Sequence, residues 1–362
     1  MKPKILIIIT RSEIGGAQNY VLSMVSEMRS NYEFKVIVGS DSYLSKKLTA
    51  KGVELIVLPQ LDSKNIFRAV YALRRLIILE SPNIINTHST LASVYGRLAN
   101  LKLRIPIVYS VHGWFFAENT NAVRRLIGPV VERVFSGMTS FWITETHYDQ
   151  KIGTDSGAIS NICKSRVIAN GIPKPITQPR KPLDRTKVQM AFVGRISFQK
   201  NPLLAVESLS YLPQNYLLTM FCDNAKDIAL NNRIEEMSLS DRIILIDDET
   251  NTASIINSYD LLLVTSRYEG MPLSIIEAMS AGLPIVSTNV CGLRELVIDR
   301  DNGILVDGEN PEHIAKAITE LMSNPAKAKA MGRRSVQLYE EKHTLPTMIS
   351  NLEKVFSELL TT

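Results

Sequence analysis

Short runs of Val, Ile and Leu alternate with amphipathic stretches along almost the whole chain. In the first half, the runs that predict strands are KILIIIT (4–10), FKVIVGS (34–40), VELIVLP (53–59), NIINTHS (83–89), PIVYSVHG (106–113) and TSFWITET (139–146). Near-continuous apolar runs of this length are typical of strands that are buried on both faces. The pattern therefore predicts an α/β architecture, in which a parallel sheet is covered by helices on both sides.

The alternation stops at NGIPKPITQPRKPLDRTK (170–187) and then resumes. This segment has four prolines, five basic residues and no apolar period, so it predicts an extended linker. Six strand-like runs follow it: VQMAFVGRI (188–196), NYLLTMFCD (215–223), RIILID (242–247), DLLLVTS (260–266), PIVST (284–288) and GILV (303–306). We therefore predict two Rossmann-like, doubly wound domains, residues 1–172 and 188–340, with a linker at 173–187 and a helical segment at 341–362. Because such sheets bind ligands at the carboxyl ends of their strands, we expect the site in a cleft between the domains.

Composition narrows the class of protein. With 362 residues, 45% of them apolar and 21% charged, the chain has the balance of a soluble globular protein of two domains. Its apolar runs are far too short to span a membrane, and MKPKILIIITRS lacks the small-residue cleavage site of a signal peptide. Three scattered cysteines argue for a reducing compartment and against a disulfide framework or a zinc site, so we expect a cytoplasmic protein.

Charge is distributed unevenly along the chain. Residues 1–172 contain 21 Lys and Arg against 12 Asp and Glu, a net charge of +9, whereas the remainder carries −4. A basic first half fits an acidic partner or an anionic surface, and an unevenly charged solvated surface explains it equally well. NIFRAVYALRRLIILE (65–80) and NAVRRLIGPVVERVF (121–135) interleave apolar residues with arginines, which suits either an anionic membrane surface or ordinary packed helices. No nucleic-acid partner is expected.

Two glycines follow the first predicted strand, in RSEIGGAQNYV. Gly15 and Gly16 open a predicted helix, where backbone N–H groups can approach a ligand closely and the helix start attracts phosphate. The G-x-G-x-x-G dinucleotide fingerprint is absent. A tight turn is the alternative explanation for this pair.

A basic loop, FVGRISFQKNP (192–202), follows the first predicted strand of the second domain. Arg195 and Lys200 flank the loop, and Pro202 stands where the next helix opens. Two cations that converge at a strand end suit a diphosphate, because Arg offers a planar fork and Lys a point charge. An exposed basic loop is the alternative.

Two glutamates stand eight positions apart in SRYEGMPLSIIEAMSAGLPIV (266–286). Pro272 is expected in the first turn of a helix that ends at Gly282, so the helix N-terminus, with its free N–H groups, points to the ligand edge. Glu269 lies in the loop ahead of these donors, and Glu277 lies about 7 Å further along the axis, at 1.5 Å per residue. Carboxylates at these positions suit the hydroxyls of a sugar and a ribose; a capping glutamate and a surface glutamate are the alternative.

His88 and His112 also stand at predicted strand ends, and each has a structural or a functional explanation. No H-x-x-H, C-x-x-C or H-E-x-x-H spacing supports a metal site, and no nucleophile elbow supports a hydrolase. The acidic pair in IDDET (246–250) is interpreted as a solvated turn.

Together these stretches resemble the retaining glycosyltransferases of the GT-B fold, specifically glycosyltransferase family 4. The resemblance covers nearly the whole chain and rests on GGAQ (15–18), VHG (111–113), NGI (170–172), VGRISFQKN (193–201), YEGMPLSIIEAMSAGLPIV (268–286) and GLRELV (292–297). It implies two Rossmann-like domains that face each other across a cleft, with the last helix crossing back to the first domain.

The resemblance also implies the role of each site residue in the second domain. Arg195 and Lys200 would contact the diphosphate of a nucleotide-sugar donor, and Glu277 its ribose. Glu269 would bind hydroxyls of the donor sugar. The backbone amides that would assist Glu269 belong to the segment Gly270, Met271, Pro272 and Leu273.

In the first domain, the resemblance places Gly16 against the donor phosphates and His112 near the reacting carbon, and Gly15 is expected to bind the donor with Gly16. Glu269 and His112 are the expected catalytic residues. No metal or other cofactor is expected, because cations and a helix terminus would neutralise the leaving diphosphate.

The resemblance implies a hexosyl transfer with retention of anomeric configuration, to a glycan or lipid-linked acceptor of a surface polysaccharide or lipopolysaccharide. CDN (222–224) and DDE (247–249) depart from the glycines of many relatives near the expected base, so UDP is favoured on family frequency alone. A nucleotide-sugar epimerase and a non-catalytic sugar-binding module are the alternatives. Peripheral contact with the anionic inner face of the cell membrane stays open.

Overall fold

A computed structural model describes residues 2–62, 65–117, 122–174, 186–247 and 256–361. The chain divides into two units, one of residues 1–170 with 345–362 and one of residues 171–344. The sequence had predicted that the first domain ends at residue 172 and the second at residue 340. Most of the predicted linker (175–185) lies outside the described residues, as do the last two residues of DDE (248–249). Nowhere in the described ranges does a helix combine the length and apolar character needed to cross a bilayer.

The first unit contains a seven-stranded parallel sheet in the order β3-β2-β1-β4-β5-β6-β7. Its strands are β1 (Lys4–Ile9), β2 (Glu33–Val38), β3 (Glu54–Val57), β4 (Ile84–His88), β5 (Ile107–Val111), β6 (Phe141–Thr144) and β7 (Ser165–Val167). Its helices are α1 (Gly16–Met28), α2 (Tyr43–Ala50), α3 (Ile66–Glu80), α4 (Thr90–Ala99), α5 (Ala122–Ser136), α6 (His147–Asp155) and α12 (Leu345–Thr361). The short strand β7 was not predicted, because its three residues, SRV, carry no apolar run.

Both faces of this sheet are buried, as the continuous apolar runs predicted. Along β1, Ile5, Ile7 and Ile9 belong to a core shared with α1, α2 and α12, whereas Leu6 and Ile8 belong to a core shared with α3 and α4. Successive side chains of a strand point to opposite faces, so a sheet that is covered twice needs an apolar residue at every position.

The last helix, α12, completes the first of these cores. Leu352, Val355 and Phe356 are fully buried there, and α12 packs against α1. The alternation of apolar and polar residues in LPTMISNLEKVFSELL at helical spacing explains why one face of α12 is buried.

The second unit contains a six-stranded parallel sheet in the order β10-β9-β8-β11-β12-β13. Its strands are β8 (Val188–Val193), β9 (Tyr216–Cys222), β10 (Ile243–Asp247), β11 (Leu261–Val264), β12 (Ile285–Thr288) and β13 (Gly303–Val306). Its helices are α7 (Pro202–Ser210), α8 (Ile228–Glu236), α9 (Leu273–Ser280), α10 (Pro311–Met322) and α11 (Pro325–Lys342).

The two sheets share one topological feature that positions the candidate site. Strand order reverses between β1 and β4 in the first unit and between β8 and β11 in the second. In open α/β sheets, ligands bind outside the carboxyl ends of the strands at such a reversal, because the flanking helices diverge there and leave a crevice.

Candidate active site

In the second unit, the loop after β8 directs its two cations differently. Arg195 is exposed, with no hydrogen bond or ion pair to another described residue. The Lys200 side chain is only 16% exposed and folds back over Gly194, where a Cβ atom would come within 3.1 Å of Lys200 Cδ. The absence of a side chain at Gly194 therefore lets the lysine lie along the loop and place its Nζ at the carboxyl end of β11.

Glu269 forms a buried ion pair with Lys200 in the loop after β11. Lys200 Nζ lies 2.6 Å from Glu269 Oε1, and the Glu269 side chain is 7% exposed. Ser266 Oγ donates to the same oxygen at 2.8 Å, and Gln199 Nε2 donates to the other at 3.3 Å. A buried carboxylate is stable only when paired and hydrogen-bonded, and these three donors supply both conditions. The structure thus brings together two residues to which the sequence assigned separate ligand groups.

Helix α9 begins one residue later than expected. Pro272 is the N-cap and not part of the first turn, and it provides no side-chain cap for the first amides. Amides at a helix start have no acceptor in a preceding turn, so they suit an anion or sugar oxygens. In α9 the Ile275 N–H donates to the Pro272 carbonyl oxygen at 3.2 Å, so the amides that suit a ligand are those that precede Ile275. Gly282 has φ +72°, which is the left-handed stop that the sequence predicted.

The loop from Glu269 to Leu273 is held against a short 3₁₀ helix, Cys291–Glu295. A Cβ atom at Gly292 would lie 1.8 Å from the carbonyl oxygen of Gly270 and 2.6 Å from that of Glu269. Only a glycine permits this approach of two backbones. Met271 is buried beside this contact, whereas Pro272 and Leu273 are half-buried. Gly292 lies in GLRELV, and its contact with the loop of Glu269 was not predicted from the sequence.

Glu277 is half-buried on α9, one turn beyond Leu273. Ile275, Ile276 and Met279 are fully buried around it, as the pattern predicted. Glu277 therefore lies on the partly accessible side of α9 and not on its core side. The first-turn amides belong to the same helix.

In the first unit, Gly15 and Gly16 do not form a tight turn. Gly15 has an extended backbone (φ 179°), and Gly16 is not in a left-handed conformation. A Cβ atom at Gly16 would meet nothing within 4 Å, and at Gly15 it would meet only the flexible end of Gln18. The backbone conformation requires a glycine at neither position, and at Gly16 the space above the start of α1 is open.

A cavity of about 250 Å³ lies beside these glycines, between β1 and β4 where the strand order reverses. It is lined by Ile9, Thr10, Arg11, Ala17, Gln18, Ser89, Thr90 and Leu91. Hydroxyls, an amide and one guanidinium are groups that bind sugar hydroxyls and phosphate. The sequence did not identify this cavity, because its walls come from segments about 80 residues apart.

His112 is part of a chain of hydrogen-bonded side chains at the carboxyl ends of β4, β5 and β6. His88 Nδ1 lies 2.9 Å from His112 Nε2, and His112 Nδ1 lies 2.6 Å from Glu145 Oε1. At the other end, His88 Nε2 lies 2.9 Å from Asn86 Oδ1. His112 and Glu145 each follow the last residue of their strands, and the pairing of Val111 with Thr144 places them side by side. His88 ends β4 opposite Ser110 of β5, two residues before His112, so its ring reaches His112 along the same face of the sheet.

The environment of this chain is apolar and enclosed. His88 is fully buried, which lowers its pKa well below the usual value, and the neighbouring His112 lowers it further. The Tyr20 ring meets His112 edge to face at 5.1 Å. Burial, and next the charge of Glu145, raise the pKa of the Tyr20 hydroxyl. Glu145 was not predicted as a site residue, because it lies near the end of the strand-like run TSFWITET and belongs to no recognisable motif.

The expected site residues are therefore grouped by unit. The first unit holds Gly15, Gly16 and His112, and the second holds Arg195, Lys200, Glu269, Gly270, Met271, Pro272, Leu273 and Glu277. In both units they lie at the carboxyl edge of the sheet. The described residues contain no cluster of three or more His, Cys, Asp or Glu side chains placed to hold a metal ion.

Comparisons with known proteins identify the family and the fold that the chain resembles. Two family models match consecutive parts of the chain, Glycosyltransferase Family 4 at residues 14–174 and Glycosyl transferases group 1 at residues 174–337. The chain is 27% identical over 300 residues to the O-antigen biosynthesis glycosyltransferase WbnH of Escherichia coli, covering 83% of this chain and 85% of the relative. It is 26% identical over 271 residues to the UDP-Gal:alpha-D-GlcNAc-diphosphoundecaprenol alpha-1,3-galactosyltransferase of Escherichia coli, covering 70% of each. The crystal structure of Anabaena HepE in complex with UDP-glucose superposes with a TM-score of 0.83 at 18% identity, covering 98% of this chain and 99% of that one.

Proposed function

Because the chain belongs to glycosyltransferase family 4 and has the GT-B fold, we propose that this glycosyltransferase moves a hexose or N-acetylhexosamine from a UDP-sugar to a glycan or lipid-linked acceptor. The acceptor belongs to a surface polysaccharide such as O-antigen, as the name of one relative suggests. The name of another relative contains a GlcNAc-diphosphoundecaprenol acceptor, which supports a lipid-linked acceptor. The observation that carries the proposal is the buried Lys200–Glu269 pair beside the N-terminus of α9.

This cluster suits a nucleotide-sugar donor. A diphosphate would compete with Glu269 for the Lys200 ammonium, and exposed Arg195 would add a second cation. Glu269, once relieved of Lys200, retains Ser266 and Gln199 as donors and can accept hydrogen bonds from sugar hydroxyls. The N-terminus of α9 supplies further positive potential, and Glu277 accepts from the ribose.

The reaction that we propose needs no metal ion and retains the anomeric configuration of the donor. Fixed cations and helix amides neutralise the leaving diphosphate in place of a divalent cation. NMR of the product anomer tests retention. Turnover in excess EDTA tests metal independence: an unchanged rate is expected, and a loss that Mg²⁺ restores would contradict the proposal.

UDP is the proposed nucleotide. Anabaena HepE was crystallised with UDP-glucose, and one Escherichia coli relative is named as a user of UDP-Gal. A thermal-shift panel of UDP-, GDP- and ADP-sugars identifies base and sugar together, because a ligand that binds only the folded state raises its stability. Stabilisation by GDP- or ADP-sugars alone would replace UDP in the proposal.

Incubation of the purified enzyme with donor alone, followed by NMR, separates transfer from epimerisation. A transferase leaves the donor unchanged or hydrolyses it slowly, whereas an epimerase converts it to a second nucleotide sugar. A sugar-binding module would show stabilisation by ligand without turnover in the presence of any acceptor.

We further propose that the enzyme acts at an anionic membrane surface through α5. This helix exposes Val123 (64%), Leu126 (77%) and Val134 (67%) to solvent, which a helix on a protein core normally does not do. Arg124 and Arg125 are exposed on its first turns, and the first half of the chain carries a net charge of +9. Apolar side chains flanked by arginines bind the headgroup region of anionic bilayers.

Flotation with vesicles tests this surface. We expect salt-sensitive binding to vesicles that contain phosphatidylglycerol and weaker binding to pure phosphatidylcholine. Leu126→Ser should weaken it, whereas Ile228→Ser, at a residue 76% exposed on α8 of the other unit, should not. Equal flotation of both variants, or none by the native protein, would remove the membrane from the proposal.

A further inference from the structure

The hydrogen-bond chain through His112 leaves a question that family membership does not answer: which atoms of the ring remain available to a substrate. Both ring nitrogens already have partners, His88 Nδ1 at 2.9 Å and Glu145 Oε1 at 2.6 Å. Only 13% of the His112 side chain is exposed. The direction of each of these two hydrogen bonds follows from the other side chains that are hydrogen-bonded in series with His112.

Asn86 fixes the first direction. Its side chain donates through Nδ2 to the carbonyl oxygen of Val108 at 3.2 Å and to Ser110 Oγ at 3.0 Å. A carbonyl oxygen accepts only, so the amide nitrogen must face Val108 and the amide oxygen must face His88. His88 Nε2 therefore carries a proton and donates it to Asn86 Oδ1.

His88 fixes the second direction. Burial keeps this imidazole neutral at neutral pH, because its pKa is lowered well below the usual value. A neutral imidazole with a proton on Nε2 has a lone pair on Nδ1. His112 Nε2 must therefore carry a proton and donate it to His88 Nδ1.

Glu145 occupies the remaining nitrogen. A single proton lies between His112 Nδ1 and Glu145 Oε1, and whichever atom holds it, neither ring nitrogen of His112 offers a lone pair to an incoming hydroxyl. The titratable groups that face His112 in the described structure are His88, Glu145 and Tyr20, and the Tyr20 ring packs edge to face with the imidazole.

We propose that His88 and Glu145 are positioning residues that hold His112 with both ring nitrogens engaged, so that His112 contributes a fixed, electropositive ring edge to the sugar site and does not serve as a general base. The inference rests on the proposed function for its catalytic meaning, whereas the state of the ring is a property of the protein alone. It assigns roles to His88 and Glu145, which lie 57 positions apart in the sequence. Glu145 lies 33 positions after His112.

The state of the ring is tested without substrate. In ¹⁵N-labelled full-length protein at pH 7.5, long-range ¹H–¹⁵N spectra report the protonation of each histidine nitrogen. The five histidines are assigned with His88→Gln, His112→Gln and, as an exposed control on α10, His313→Gln. We expect protons on His88 Nε2 and His112 Nε2, and no free nitrogen on His112. An unprotonated, unbonded nitrogen on His112 overturns the proposal, even if the enzyme proves to be an active glycosyltransferase.

The positioning role is tested by two substitutions at one residue. Glu145→Gln keeps a hydrogen-bonding partner for His112 Nδ1 but removes the charge, and Glu145→Leu removes both. We expect kcat to fall roughly tenfold in the first and roughly hundredfold in the second, with the donor KM within about twofold of native. Binding of UDP-sugar in a thermal shift shows that each variant is folded, and if the leucine variant is not, the glutamine variant decides alone. Native or near-native kcat in a folded Glu145→Leu would refute the role, and so would native kcat in Glu145→Gln if the leucine variant does not fold.

Discussion

The carboxyl edges of the two sheets both hold buried polar side chains, and the two edges differ in how these side chains are paired. In the second unit, Lys200 and Glu269 are oppositely charged partners that a ligand can separate, with Ser266 and Gln199 keeping the carboxylate satisfied. In the first unit, Asn86, His88, His112 and Glu145 form a closed chain in which each donor has its acceptor. The contrast teaches that the Lys200–Glu269 pair in the second unit can exchange its partners for a ligand, whereas the hydrogen-bonded side chains in the first unit keep theirs.

The largest effect is expected from the exchangeable pair. Lys200→Met keeps the aliphatic stem over Gly194 and removes the charge, so the leaving diphosphate loses a cation and Glu269 loses its ion pair. We expect kcat/KM to fall about 10³-fold, roughly 4 kcal/mol of transition-state stabilisation. Steady-state kinetics measures this, with Lys329→Ala, an exposed lysine of α11, as the control. A kcat/KM within threefold of native would mean that the pair is only structural.

The next effect concerns the backbone contact that supports this pair. Gly292→Ala places a Cβ atom 1.8 Å from the carbonyl oxygen of Gly270, so the loop that carries Glu269 must shift. We expect the free energy of unfolding to fall by about 2–3 kcal/mol and the donor to bind more weakly. Urea denaturation and donor thermal shift measure both. Gly137→Ala, where a Cβ atom meets nothing within 4 Å, is the control, and equal stability of the two variants would contradict the contact.

A smaller effect is expected on how the free energy of unfolding depends on pH, and it arises from His88 in the hydrogen-bonded series of the first unit. Unfolded His88 binds a proton below about pH 6.5, whereas burial keeps the folded imidazole neutral to lower pH. The unfolded state therefore binds more protons, and the free energy of unfolding falls by about 1.4 kcal/mol per pH unit as the pH drops below about 6.5. His88→Gln should lose this share of the slope between pH 6.5 and 5. Identical slopes in the two proteins would mean that His88 binds a proton as readily in the folded state as in the unfolded state.

The smallest effect tests the open space at the start of α1. Gly16→Ala adds a methyl group that meets no other atom of the protein, so the free energy of unfolding should change by less than about 0.5 kcal/mol. If a donor phosphate lies against this glycine, the donor KM should rise about tenfold, which corresponds to roughly 1.4 kcal/mol. Unchanged donor kinetics would assign the space to another group. Gly137→Ala again controls for the substitution itself.

The two edges also differ in how far the sequence reveals them. The second unit collects Arg195, Lys200, Glu269 and Glu277 from two short segments, each next to a recognisable strand, so residue type and spacing suffice to find them. The ion pair itself was not predicted, because it depends on β8 and β11 being neighbours in the sheet.

The first unit was less predictable for the same physical reason. Glu145 meets His112 because β5 and β6 pair in parallel register, with Val111 opposite Thr144. Register is set by packing along the whole sheet and leaves no local motif. The α/β architecture with two parallel sheets was predicted correctly, since continuous apolar runs report directly that both faces of a strand are buried.

The position of α12 has a consequence for synthesis of the protein. Residues 171–344 are contiguous, so the second unit can assemble as soon as they leave the ribosome. The core under α1 lacks Leu352, Val355 and Phe356 until translation has passed them, so an apolar groove on the first unit stays open to chaperones for the time it takes to make the intervening 174 residues.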